Sequence, residues 1–301
     1  MRLTTRCIRS IPLALASLFA VGAQAQALDG TLKKIQDSNT ILIGVRESSI
    51  PFSYRDSQNK IIGFSADLCS HVIDAVKQKT GKPNLQVQQI PVTSQNRTSL
   101  VQNGSVDLEC GVTTHLKSRE QQTAFSTTFF IAGTRLLTGV NSGVKDFPDL
   151  AGKSVITNAG TTSERILRKM NDEKKMNMNV ISGKDYGESF LTLQSGRVAA
   201  FMMDDVLLAG ARTLAQKPTD WVVTGTPQSF EAYGFMLRKD DPQFKKLVDD
   251  TLTGVMKSGE IHTLYAKWFE KPVPPKSLNF NFKMSDQLKA LYANPNDTPF
   301  E

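Results

Sequence analysis

The chain repeats one order of elements (strand, helix, strand, helix, strand), and this repeat constrains its fold more than any other feature. The first series opens with the continuous apolar run Ile41–Val45, which has the length of a buried parallel strand, and closes with a strand at Val106–Glu109. The second series runs from a strand at Lys153–Thr157 to one at Val198–Met202. Strands that alternate with helices build α/β sheets. We therefore predict two α/β lobes.

A short sequence echo supports this division. Gln102–Asp107 and Gln194–Ala199 share the pattern Gln-[Asn/Ser]-Gly-x-Val, and each lies where a helix ends at glycine and leads into a strand. A later strand, Ala232–Leu237, has no helical partner of its own and is expected to return the chain to the first lobe. Two crossing strands between two lobes would form a hinge beside a cleft.

We place the domain limits accordingly. Residues 28–134 and 233–301 are predicted to form lobe 1, which is discontinuous in sequence, and residues 135–232 to form lobe 2. Within lobe 1, Ser65 is predicted to cap a helix that Gly81 ends. The apolar face of that helix is Leu68, Val72, Ile73 and Val76.

The first 27 residues have the layout of a secretory signal peptide. Three arginines precede the apolar stretch Ile11–Val21, and the small-residue cleavage motifs Ala23–Ala25 and Ala25–Ala27 follow it. The apolar stretch is much shorter than the roughly 20 residues needed to span a bilayer. We predict export, cleavage after Ala25 or Ala27, and a mature protein in the periplasm.

Charge and composition exclude several classes of function. The formal net charge of +7 falls to +4 without the three leader arginines, and no basic stripe with interleaved aromatic residues points to nucleic acid. The histidines His71, His115 and His262 share no ligand spacing, so we expect no metal and no cofactor. Cys69 and Cys110 remain after the leader, and either a disulfide or two buried thiols would fit an exported protein.

Polar residues follow the predicted strands, at the edge where ligands bind in α/β folds. The sequence has no nucleophile elbow, no P-loop and no zinc-protease motif. Instead, Arg and hydroxyl residues recur just after strands, and an acid ends the last strand of the second series. The segments are Arg46–Ser49, Thr93–Arg97, Gly111–Thr114 with Arg119 beyond it, Gly160–Glu164, and Met202–Asp205.

This set of groups suits a small zwitterion that carries an additional acid. Guanidinium groups bind carboxylates through two parallel hydrogen bonds, and a carboxylate is the strongest acceptor for an ammonium group. A dicarboxylic amino acid carries two carboxylates and one ammonium group, so its binding site needs two positively charged regions and one negatively charged group. Three arginines and Asp204 supply them.

The motifs together resemble the glutamate/aspartate-binding subgroup of family-3 extracellular solute-binding proteins, which serve ABC importers. The resemblance covers essentially the whole mature chain. It implies a periplasmic-binding-protein-like fold of type II, closure on L-glutamate or L-aspartate, and delivery to an inner-membrane permease. We expect a monomer. The motifs that carry the resemblance are Arg46–Tyr54, Thr93–Arg97, Glu109–Gly111, Gly160–Glu164, Ala200–Asp205 and Glu231–Gly234.

The resemblance also implies a role for each site residue. The side-chain carboxylate of the ligand would be held by Arg46, Ser94 and Arg97. The α-carboxylate would be held by Thr114, Arg119 and Thr162. The ammonium group would be held by Asp204.

Two positions depart from the subgroup. Val112 stands where relatives have Ser and offers only backbone groups. Tyr186, the eighth candidate ligand-binding residue, stands where they have His; it can donate a hydrogen bond but adds no charge at neutral pH. Both leave the preference between glutamate and aspartate open. Two other functions also stay open: a dehydratase-like enzyme of the same fold, with Glu109 as its candidate acid or base, and an amino-acid-sensing ectodomain.

Overall fold

The helices and strands follow the predicted alternation through both halves of the chain. The computed structural model describes residues 27–274, 277 and 279–300, so the predicted leader lies outside the described residues apart from Ala27. The strands are β1 (Thr40–Val45), β2 (Ser48–Ser49), β3 (Ser53–Arg55), β4 (Ile61–Ile62), β5 (Gln86–Pro91), β6 (Leu108–Thr114), β7 (Thr123–Phe125), β8 (Phe130–Gly139), β9 (Ser154–Asn158), β10 (Asn179–Gly183), β11 (Ala200–Asp204), β12 (Trp221–Thr224) and β13 (Phe230–Arg238). The helices are α1 (Gly30–Ser38), α2 (Phe64–Thr80), α3 (Arg97–Gln102), α4 (Lys117–Glu120), α5 (Thr162–Glu173), α6 (Tyr186–Gln194), α7 (Asp205–Arg212), α8 (Pro242–Lys257), α9 (Glu260–Tyr265) and α10 (Asp286–Ala293).

The strands form one long sheet in two parts, with a separate small sheet of β2, β3 and β4. In lobe 1, β1 pairs in parallel with β5 and β6, and β13 runs antiparallel to β6. In lobe 2, β9 pairs in parallel with β10 and β11, and β8 runs antiparallel to β11. Parallel neighbours joined by helices confirm the predicted α/β class.

Strands β8 and β13 carry the chain between the two parts. Residues Phe130–Gly133 of β8 pair with Phe230–Tyr233 of β13, whereas Thr134–Leu137 of β8 pair with β11 of lobe 2. The partner of β8 therefore changes between Gly133 and Thr134. This change supports the domain limits proposed from the sequence, which we retain as a proposal.

Helix α2 shows how the apolar pattern positions lobe 1. Leu68, Val72 and Val76 lie on one buried face, and Gly81 ends the helix in the left-handed conformation, as predicted. The predicted cap was wrong: Gly63 precedes the helix, and Ser65 lies inside it. The Ser65 hydroxyl donates instead to the carbonyl of Gly111, 2.9 Å away, and so ties α2 to the strand that leads to the cleft.

A disulfide resolves the alternative left open for the cysteines. Cys69 of α2 and Cys110 of β6 are bonded, with their Cα atoms 5.9 Å apart, and both are buried. The bond fixes the helix to the strand of lobe 1 that leads to Thr114. Within the described part of the chain, no helix is both long and apolar enough to cross a bilayer.

Candidate functional site

The predicted site residues converge between the two lobes, at the carboxyl ends of the parallel strands. Seven of the eight are at most 5% exposed, and Arg119 is partly exposed. Lobe 1 contributes four of them from β1, β5 and β6 and their following segments, and Arg119 from α4. Lobe 2 contributes Thr162 at the start of α5, Tyr186 at the start of α6 and Asp204 at the end of β11. The seven buried residues are Arg46, Ser94, Arg97, Thr114, Thr162, Tyr186 and Asp204.

Arg46 and Arg97 form a cationic cluster on lobe 1. An Arg46 guanidinium nitrogen donates to the Ser94 hydroxyl at 3.0 Å, and one of Arg97 donates to the Val112 carbonyl at 3.2 Å. Burial lowers the pKa of Arg97, and the charge of Arg46 lowers it further. Within the described residues, neither guanidinium forms an ion pair shorter than 4.0 Å. Two buried positive charges therefore face the cleft and favour an anion there.

The two positions that depart from the subgroup lie against this cluster. Val112 uses its backbone carbonyl to accept from Arg97, so this contact needs no side-chain hydroxyl. The Arg46 guanidinium carbon lies 4.9 Å from the centre of the Tyr186 ring, which comes from lobe 2. A cation over an aromatic face is favourable. Tyr186 therefore joins the lobes through a contact that a neutral ring can make.

Arg119 of lobe 1 provides a further positive charge where the two lobes meet. Its guanidinium donates to the Thr114 carbonyl at 2.8 Å and to the Gly160 carbonyl across the cleft at 3.4 Å. Burial, followed by the charge of Arg97, lowers the pKa of Arg119 to about 9. The group stays charged at neutral pH.

Asp204 provides a buried acidic group on the lobe 2 side of the site. Its carboxylate accepts from the Thr134 hydroxyl at 3.2 Å and from the Tyr233 hydroxyl. Burial raises the pKa of Asp204 well above its ordinary value, and the nearby charge of Glu231 raises it further. A cationic ligand group would relieve both effects, because it favours the ionised carboxylate.

Glu231 is a site residue that the sequence reasoning missed. One of its carboxylate oxygens accepts from the Thr114 hydroxyl of lobe 1 at 2.6 Å and from the Thr162 hydroxyl of lobe 2 at 2.8 Å. The other oxygen accepts from Ser229 and lies 3.2 Å from the Thr134 hydroxyl, whose single hydrogen can bond either this oxygen or Asp204. The signal was an acid within the otherwise apolar crossing strand β13, where a buried charge needs several donors.

Glu109, the residue named for the enzymatic alternative, lies on β6 and is fully buried. One of its carboxylate oxygens accepts from the Thr113 hydroxyl at 2.7 Å. Its negative charge raises the pKa of Arg97 and so partly offsets the effect of burial. Gly111 permits the crowding here, because a Cβ at that position would lie 2.9 Å from Cγ of Arg46. The arrangement makes Glu109 an electrostatic counterpart of the arginines.

The two lobes are in contact on both sides of the site. A Cβ built on Gly160 of lobe 2 would lie 2.8 Å from the Ser94 carbonyl of lobe 1. On the other side, a Cβ on Gly210 of α7 would lie 2.0 Å from the Ile50 carbonyl. Only glycine allows such close approach. The structure is therefore the closed arrangement, with the charged side chains enclosed between the lobes.

Comparisons with known proteins agree with this architecture. Residues 41–271 match the family described as bacterial extracellular solute-binding proteins, family 3. The chain is 55% identical to the "Glutamate/aspartate import solute-binding protein" of Escherichia coli K12, over 94% of this chain and 93% of the relative. It is 54% identical to the "L-glutamate/L-aspartate-binding protein" of Pseudomonas aeruginosa, over 95% of each.

The fold also has solved counterparts. An ancestral arginine-binding protein bound to arginine superposes with a TM-score of 0.69 at 26% identity, covering 77% of this chain and 98% of that one. The family match extends over the strands and helices that build both lobes and the cleft. The chain belongs to the bacterial extracellular solute-binding proteins of family 3, with their type II two-lobed fold.

Proposed function

We propose that this protein captures L-glutamate and L-aspartate between its two lobes and delivers them to an ABC import permease. One observation carries the proposal: three arginines and two carboxylates face one another inside a closed cleft. Arg46, Arg97 and Arg119 offer the positive side, and Asp204 and Glu231 the negative side. An acidic amino acid has the complementary charges.

The positions suggest how the ligand would lie. Arg46 and Arg97, with Ser94, would bind the side-chain carboxylate, because their guanidinium groups are buried together and neither has a carboxylate within 4.0 Å among the described residues. Arg119 would bind the α-carboxylate beside Thr114. Asp204 would accept from the ammonium group. The names of the relatives from E. coli and P. aeruginosa support this ligand class.

The same reasoning excludes neutral amides as good ligands. Glutamine would present an NH₂ donor to guanidinium donors and would leave two buried cations under-paired. Removing the partner of a buried charge costs several kcal/mol, and each 1.4 kcal/mol changes affinity tenfold. We expect glutamate to bind at least about a hundredfold more tightly than glutamine.

Isothermal titration calorimetry tests the proposal. The protein is unfolded, dialysed and refolded to remove bound ligand, and it is then titrated with L-glutamate, L-aspartate, L-glutamine and L-asparagine. Arg46→Met should weaken binding of the two acids, whereas Arg197→Met, which changes an exposed arginine on lobe 2, should not. Equal affinities for glutamate and glutamine would refute the dicarboxylate assignment.

We further propose that the protein acts in the periplasm as a monomer and catalyses no reaction. The transport-associated names of the relatives support a binding role. Incubation with isotope-labelled glutamate, followed by denaturation and mass spectrometry, should return the ligand unchanged. Conversion of the label to a second compound would favour the enzymatic alternative.

A further inference from the structure

His115 follows directly after β6 and is fixed in place by its neighbours in lobe 1. Its backbone N–H donates to the Ala232 carbonyl of β13 at 2.8 Å, and its carbonyl accepts from the N–H of Phe300 at 3.0 Å. Its side chain is 2% exposed. The imidazole ring stacks on Phe125 of β7, with 4.5 Å between the ring centres and 17° between the planes. The backbone and the ring are therefore both held in one position.

The imidazole contacts helix α4 through one of its two nitrogens. Nε2 of His115 lies 2.7 Å from a carboxylate oxygen of Glu120, the last residue of α4. Because a carboxylate only accepts, this hydrogen bond places the ring hydrogen on Nε2. The other nitrogen, Nδ1, is buried and has no hydrogen-bond partner within the described part of the chain. Burial lowers the pKa of His115, so at pH 7 the ring is neutral and donates from Nε2 alone.

Helix α4 depends on contacts of this kind because none of its own residues is buried. It has four residues, and so short a helix gains little from its own backbone hydrogen bonds, since the first turn is costly to form. Glu120 connects α4 to the rigid imidazole of His115, and Arg119 is the residue before Glu120. A contact that fixes Glu120 therefore also restricts the position of Arg119.

Arg119 has only part of its support on its own lobe. Its guanidinium donates to the Thr114 carbonyl of lobe 1 at 2.8 Å and to the Gly160 carbonyl of lobe 2 at 3.4 Å. Separation of the lobes breaks the second of these hydrogen bonds. In the open protein, Arg119 is then held by the Thr114 carbonyl and by the position of α4.

We propose that His115 is a positioning residue which, by donating to Glu120, holds α4 so that Arg119 is in place for the α-carboxylate of an incoming ligand. The inference rests on the proposed function and adds to it a residue that does not touch the ligand. His115 acts before closure, when the contact of Arg119 with lobe 2 is absent. It thereby reduces the ordering of Arg119 that binding would otherwise require.

The experiment compares L-glutamate with L-isoglutamine, the α-amide of glutamate. Isoglutamine keeps the ammonium group and the side-chain carboxylate but lacks the charge that Arg119 would bind. Affinity for glutamate is measured with the radiolabelled amino acid, and affinity for isoglutamine by its competition. The readout is the preference for glutamate, which is the ratio of the two dissociation constants.

His115→Phe keeps an aromatic ring against Phe125 and removes the donor to Glu120. We expect it to reduce the preference for glutamate by about threefold to tenfold, because a hydrogen bond to a charged group that orders Arg119 is lost. His115→Gln should restore most of the preference, since its amide N–H₂ can donate to Glu120 from a position similar to that of Nε2. His71→Phe is the matched control, because it removes a histidine that faces Glu260 at 3.3 Å, far along the chain from α4.

The same substitution in an Arg119→Met background tests whether His115 acts through Arg119. There, His115→Phe should leave the preference unchanged, because the group that it positions is absent. A further reduction of the preference in that background would overturn the inference, and so would an equal loss of affinity for both ligands in His115→Phe alone. If His115→Phe does not fold, Glu120→Met removes the same hydrogen bond from the exposed side and should give the same reduction. Failure of the wild-type protein to bind glutamate would instead refute the proposed function.

Discussion

Replacing Asp204 with asparagine should weaken ligand binding without lowering the stability of the unliganded protein. Asp204 is 2% exposed, and its carboxylate accepts from Thr134 and Tyr233. Asparagine keeps the shape and an acceptor but removes the charge that faces the ligand ammonium. Losing one member of a buried ion pair costs about 3–5 kcal/mol, which corresponds to a loss of affinity of about a hundredfold to several thousandfold.

The stability of the unliganded variant should not fall with its affinity. The pKa of Asp204 is higher in the folded protein than in the unfolded chain, so the folded state holds the extra proton between the two values. The contribution of this group to stability therefore falls as pH rises through that range, and above that range the ionised carboxylate destabilises the unliganded fold. Without ligand, Asp204→Asn should unfold at a temperature no lower than the wild type.

Calorimetry and thermal unfolding at pH 7, each with and without glutamate, test both statements. The wild-type protein should gain stability from saturating glutamate by mass action, and the variant should gain almost none at the same concentration. Affinity close to that of the wild type would refute the assignment of Asp204 to the ammonium group. A lower unfolding temperature of the unliganded variant would refute the argument from the raised pKa.

Three further outcomes are expected. Glutamate affinity should decline as pH falls from 8 towards 5, because protonation of Asp204 removes the acceptor charge. Since the pKa of Asp204 is raised, the decline should begin above the pH range in which an ordinary aspartate titrates. Titrations of Asp204→Asn should show a flatter pH profile. Gly210→Ala should weaken glutamate binding at least about tenfold, because its methyl group would meet the Ile50 carbonyl in the arrangement described here, whereas Gly254→Ala, on an open helix surface, should not. With saturating glutamate, small-angle scattering should give a larger radius of gyration for Gly210→Ala than for the wild type, and equal radii with equal affinities would contradict this. Reducing the disulfide of lobe 1, which closes a loop with a sequence separation of 41, should lower the free energy of unfolding in urea by about 4 kcal/mol, and an unchanged midpoint would contradict this.

The repeated element order could be predicted because, in both lobes, a helix ends at a glycine and leads into a strand. Gly104 and Gly196, found in the sequence echo, both have positive φ and end the helices that lead into β6 and β11. Both strands nevertheless begin two residues later than predicted. The cause is the same in each lobe: Val106 and Val198 are buried in the connection before the strand, and an apolar pattern does not distinguish burial in a turn from burial in a sheet.

The sequence indicated which residues lie at the strand ends, but not which of them contact one another. Gly111–Thr114 was expected to follow the third strand, and it forms the last part of β6, which brings Thr114 to the strand end. Glu231 was missed because most of its donors are distant in sequence: Thr114, Thr134 and Thr162 are 117, 97 and 69 residues away, and only Ser229 is close. Such contacts depend on tertiary packing, and no local pattern encodes them.

Enclosure of the charged side chains has a consequence for the rate of ligand release. Because seven of the predicted contact residues are almost inaccessible when the lobes touch, a bound molecule cannot leave along a side path, and dissociation must wait for the lobes to separate. The lifetime of the complex is then set by the frequency of opening as well as by the strength of the contacts. A membrane partner that holds the lobes apart would accelerate unloading without competing for any of the ligand's hydrogen bonds.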